Sequence, residues 1–224
     1  MPNYACWMTT RRLVLTALAL AALATPAGAQ ETARAAQDVE QHGSPVGKTL
    51  KFIAGGASGL LAHEAGHLLF NVAFDAEPHF RRVEFHGIPF FAIGHRTDLS
   101  PGREFVISSA GFWMQHAGSE WLLTARPELR RERAPFAKGI LAFNILASGA
   151  YAGAAFARSG PAERDTRGMA ASGRLNERWI GALVLAPAVL DAWRYYDPKA
   201  KWARWTSRGV KVGLVLLTIR ARTS

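Results

Sequence analysis

The chain has 224 residues, of which 49% are hydrophobic, with 27 lysines and arginines and a formal net charge of +10. The length suits one domain, and the basic residues are spread through nearly every polar connector without forming one basic and aromatic patch. This argues against nucleic acid as a partner and fits anionic headgroups at a bilayer. The only cysteine, Cys6, lies near the N-terminus, so a metal site further along must be built from histidines and carboxylates.

In chain order, Arg11 and Arg12 precede an apolar run over residues 13–24 and then Ala27, Gly28 and Ala29. This is the pattern of a signal peptide over 1–29 cleaved after Ala29; the competing reading is an uncleaved anchor, for which the run is short. Residues 30–50 are polar and contain Gly43, Pro45 and Gly47, which predicts a flexible leader on the exported side. Residues 51–224 read as an integral membrane domain. Apolar stretches over 52–74, 104–125, 139–157 and 179–196 predict spanning helices. Residues 205–219, interrupted by Arg208 and Lys211, predict a fifth span or a surface helix. Small residues four apart, Gly55 with Gly59 and Gly149 with Gly153, predict close helix packing, with Gly66 extending the first face. Between the first two stretches, residues 79–95 are rich in Phe, Val and Ile around Gly87, Ile88 and Pro89, which predicts a short hairpin. The expected fold is therefore an all-α membrane protein, a bundle of four to five transmembrane helices with a short β-hairpin after the first core helix. Basic residues in the loops on the two sides are nearly equal in number and do not orient it. The signal sequence does: it leaves residue 50 outside a bacterial-type inner membrane and places the hairpin and the polar segment 158–178 in the cytoplasm.

The first apolar stretch contains His63, Glu64, Ala65, Gly66 and His67. On a helix the two histidines lie one turn apart on one face and can share a Zn2+ ion, with the glutamate beside them. Zinc lowers the pKa of water and polarises a scissile carbonyl, while a carboxylate takes the water's proton and delivers it to the leaving amine. Ionisable groups within an apolar span are costly to bury and usually functional; a metal-free polar packing network is the alternative. A longer metzincin motif would need Gly and His where Phe70 and Ala73 stand.

These residues resemble the site-2 protease family of intramembrane zinc peptidases, whose active-site helix carries a His-Glu-x-x-His pattern, often with Gly before the second His as Gly66 is here. The resemblance covers residues 52–168. It implies a hairpin after the active-site helix, an AGP-type motif that Ala110 and Gly111 resemble in part, and an Asp as third metal ligand near the end of another core helix. Asp165, followed by Gly168 in a predicted turn, is the residue chosen for that role; a solvated loop charge is the alternative. The family's usual Asn-Pro-Asp-Gly or Leu-Asp-Gly sequence is absent there. Asn144 matches the family's Asn-Leu segment in part, which implies a role toward substrate or oxyanion; helix-to-helix hydrogen bonding is the other reading.

His116 is read as a ligand, a proton relay or a packing residue, His79, His86 and His95 as hairpin or interfacial residues, Glu84 as a less favoured ligand and Asp191 as structural. The hairpin edge could bind a substrate strand or lie on the lipid. Two functions follow: hydrolysis of membrane-protein or peptide substrates, or a noncatalytic membrane protein using the His-rich helix for metal binding, transport or scaffolding. Neither the substrate nor the oligomeric state is specified by sequence, and no appended recognition domain is evident.

Overall fold

The computed structural model describes residues 44–85 and 88–223. The chain divides into Met1–Gln41 and His42–Ser224, and all described residues belong to the second unit. The expected signal peptide, its cleavage site, the leader up to residue 43, and His86 and Gly87 lie outside the described residues.

Helix α1 covers Pro45–Ala73. It starts ahead of the predicted residue 52 because Ser44 caps it, its hydroxyl accepting the Gly47 amide at 3.1 Å, and Pro45 occupies the first turn. Residues 45–50 are therefore helix and not leader. Strands β1 (His79–Phe85) and β2 (Ile88–Gly94) then pair antiparallel, with Phe85 opposite Ile88 and His79 opposite Gly94. The remaining elements are α2 (Pro101–Ala125), α3 (Pro135–Ala157), α4 (Asp165–Ser172), α5 (Glu177–Tyr196) and α6 (Lys201–Thr223). The hairpin and all five apolar stretches thus correspond to elements.

Helix α4 is the addition. Segment 158–178 reads as a polar connector, yet Thr166, Met169 and Ala170, at helical spacing, form a buried face inside it. Met169 and Ala170 join Phe105, Phe112, Ile180 and Val184 in one core cluster, so burial against α2 and α5 overrides the local polarity. Gly168 belongs to this helix and not to a turn.

Close approach explains how α1 sits between α2 and α3. A Cβ on Gly55 would overlap the Phe136 carbonyl, and one on Gly139 the Phe52 carbonyl, so the α1 and α3 backbones touch at both places. Gly59 lies under the Phe143 ring, whereas Gly66 faces Ala110 of α2 and so belongs to a different contact from Gly55 and Gly59. The expected packing role of Gly149 and Gly153 is not found. Among the described residues nothing lies within 4 Å of a Cβ built on either, because α3 meets α1 at Gly139 and meets Gly181 of α5 through Ala152 and Ala155, leaving these two glycines off both contacts.

At the end of the bundle opposite α4, Glu120 of α2 accepts hydrogen bonds from Arg194 of α5 and from Arg208 (2.8 Å) and Lys211 (3.0 Å) of α6. Asp191, buried in α5, accepts from Ser207 and Lys211, each at 2.8 Å. The cations that interrupt the fifth apolar stretch are therefore countercharges for the half-buried Glu120 and the buried Asp191, and Asp191 is structural as expected.

Among the described residues one helix, α3, is long and apolar enough to cross a membrane. Large apolar side chains are also exposed on the other long helices: Leu61, Leu69 and Val72 on α1, Trp179 and Val189 on α5, and Val212, Leu216 and Ile219 on α6.

Replacing Gly139 by valine should lower the melting temperature of the purified protein, because overpacking against an immovable backbone costs about 1–3 kcal/mol or more. Gly153→Val should leave it unchanged. Equal melting temperatures for the two variants would contradict the α1 to α3 contact.

Candidate metal centre

The centre forms where α1, α2 and α4 meet. His63 and His67, four residues apart on α1, point into the bundle and are 2% and 6% exposed. Asp165, the first residue of α4, reaches them from the other side. Its Oδ2 lies 3.1 Å from Nε2 of His63 and 3.3 Å from Nε2 of His67, and the two Nε2 atoms are 3.1 Å apart.

This triangle fits a small cation. A tetrahedral ion with bonds of about 2.0–2.1 Å spaces its ligand atoms about 3.3 Å apart. At His67 the proton placement fits as well. Nδ1 of His67 donates to the Ile107 carbonyl at 2.8 Å, which leaves the Nε2 lone pair of the neutral ring for the centre, the usual outer-sphere arrangement for a metal-binding histidine. The His63 ring is packed between Phe112, edge-on at 5.6 Å, and Tyr151, stacked at 5.8 Å. A Cβ on Gly111 would strike that ring, so only glycine lets His63 occupy the position. His63, His67 and Asp165 can thus hold a metal ion.

Burial alone would raise the Asp165 carboxyl, but the two imidazoles beside it, His67 above all, hold it well below the usual carboxylate range. The group is an anionic oxygen donor facing two nitrogen donors. Glu64 is half-buried beside them, and the Ile93 backbone of β2 lies near enough to act on its carboxylate. This contact brings the hairpin to the edge of the centre.

The other sequence candidates lie elsewhere. His116 is buried on α2 outside the donor group, with Nε2 lacking a hydrogen-bond partner among the described residues. Asn144 donates to the Gln115 carbonyl at 3.0 Å and to the Ser119 hydroxyl at 2.9 Å, which makes it a helix-to-helix connector. His79 is exposed beside the Glu77 carbonyl, and His95 pairs with Glu104 at 3.4 Å. The side chain of Glu84 lies outside the described residues.

Tyr151 and the Ile107 carbonyl escaped the sequence reading. A tyrosine within the run Ser148-Gly149-Ala150-Tyr151-Ala152 was the available signal for the first, as a lone hydroxyl in an apolar stretch. A backbone carbonyl leaves none. No protein-family model, curated protein or solved structure matches the chain.

Asp165→Ala should abolish metal retention, read as metal content after purification in detergent, while His116→Ala should keep the wild-type amount. Full retention by Asp165→Ala would remove it from the ligand set.

Proposed function

We propose that the protein is an intramembrane zinc metalloprotease that hydrolyses peptide bonds of membrane-associated substrates. The observation that carries this reading is a triangle of two imidazoles and one carboxylate inside a helical bundle, with a second carboxylate, Glu64, beside it. Two nitrogens and one oxygen, with no sulfur, suit zinc at a catalytic site, where three protein ligands leave a position open. Bound there, Zn2+ would supply Lewis acidity toward the scissile carbonyl and acidify water.

The chain's own groups would do the rest. His63, His67 and Asp165 hold and orient the ion, and the Ile107 carbonyl keeps the His67 ring in its tautomer. Glu64 accepts a proton from the attacking water and passes it to the leaving amine. The nearness of the Ile93 backbone to Glu64 supports a substrate strand running along β2, where peptide addition to the sheet edge would bring a bond past Glu64.

A bilayer setting is supported by α3 and by the exposed apolar residues of α1, α5 and α6, since surfaces of that extent mark membrane or protein contact. With the segment before residue 44 exported by a cleaved signal, the hairpin and α4 would face the cytoplasm of a bacterial-type inner membrane. The resemblance of His63 to His67 to the site-2 proteases supports the same chemistry.

Glu64→Gln should retain metal but lose cleavage by at least about 100-fold, measured as peptide products released from proteoliposomes containing a mixture of single-span peptides. Unchanged cleavage by the variant would exclude Glu64 as the base. A wild-type protein that binds zinc and releases no products would favour a noncatalytic metal-binding role.

A further inference from the structure

The third donor differs from the other two in how it is held. His63 and His67 are fixed within a long helix, whereas Asp165 opens α4, a helix of eight residues whose N-cap, Arg164, makes no side-chain capping hydrogen bond. Helix ends fray when their first amides lack partners. The residues on either side of Asp165 are instead tied to one group, the carboxylate of Glu177 at the start of α5. Arg164 donates to it twice, from Nε to Oε1 at 2.6 Å and from Nη2 to Oε2 at 2.7 Å. The Thr166 hydroxyl donates to Oε1 at 3.0 Å. Thr166 is fully buried, and the Arg164 and Glu177 side chains are only 8% and 12% exposed, so water competes poorly for these bonds. A two-pronged guanidinium to carboxylate contact also fixes direction as well as distance.

We propose that Glu177 is a positioning residue for the metal centre: by gripping both neighbours of Asp165 it holds that carboxylate at ligating distance from His63 and His67. Glu177 itself is no ligand and takes no part in the chemistry. Through these two side chains it joins the start of α4, and with it the third ligand, to the long helix α5. The inference rests on the reading of His63, His67 and Asp165 as metal ligands, and it holds whether or not the bound metal serves hydrolysis.

The test is a Co2+ titration of the full chain in detergent micelles, followed by visible absorption and by competition with a chelator. Wild type should bind one equivalent with ligand-field bands. Glu177→Ala should bind about 10- to 100-fold more weakly, and its saturated spectrum should shift as the carboxylate leaves its place. Thr166→Val, a milder change that decides the matter if Glu177→Ala fails to fold, should weaken binding about fivefold. Glu120→Gln breaks the ion network at the opposite end of the bundle and should alter neither affinity nor spectrum. Wild-type affinity in Glu177→Ala, or in Thr166→Val where that variant decides, would overturn the positioning role alone. A loss of affinity matched by Glu120→Gln, with no spectral change, would reduce Glu177 to general stability and also overturn it. Failure of wild type to bind Co2+ would overturn the metal reading and the positioning role with it.

Discussion

Two imidazole nitrogens and a carboxylate oxygen lie 3.1 to 3.3 Å apart, nearly out of contact with water, in the middle of a helical bundle. Polar groups so placed are costly unless each finds a partner, and like donors so close repel unless a proton or a cation is shared among them. Much of the surrounding structure answers this constraint. Gly111 leaves room for the His63 ring, Phe112 and Tyr151 wall it, and the Ile107 carbonyl sets the tautomer of His67. A site whose first ligands are supported by this many neighbours is pre-organised, which is what tight metal binding requires.

Backbone contact is the second element of the design. Gly55 and Gly139 let α1 and α3 touch, and α2 lies on the other side of α1, so the histidines face inward between them. Away from the centre, Glu120 and Asp191 collect the cations of α5 and α6. Buried pairs of this kind contribute little net stability but penalise any misdocked arrangement that leaves one charge alone. The ionic contacts inside the bundle include the donor triangle, the Arg164 to Glu177 pair beside it and this network, while apolar side chains cover much of the outside.

The sequence made the helices, the hairpin and the two histidines legible because each carries a periodic or local signal: apolar runs, a Gly and Pro punctuated strand pair, and imidazoles four apart. It marked Asp165 only through a family resemblance, and that residue does meet the imidazoles. Helix α4 was hidden because its buried face is three residues long within a charged segment, and only contact with α2 and α5 makes it a helix. Glu177 and Ile107 were hidden for a related reason, since their roles depend on which carboxylate or carbonyl the tertiary fold brings near. Gly149 and Gly153 show the converse, a spacing with a familiar packing meaning on a side of α3 that no described residue approaches. One helix, α3, is apolar enough to mark a span by composition alone; α6 is not, because Lys201, Arg204, Arg208 and Lys211 lie within it.

Zinc K-edge absorption spectroscopy of the purified full chain reads most directly whether His63, His67 and Asp165 hold one metal ion. The expected shell is two imidazole nitrogens and one or two oxygens at about 2.0–2.1 Å, with no sulfur scatterer, and an oxygen contribution is lost in Asp165→Ala. A shell containing sulfur, or one with fewer than two imidazoles, would contradict it.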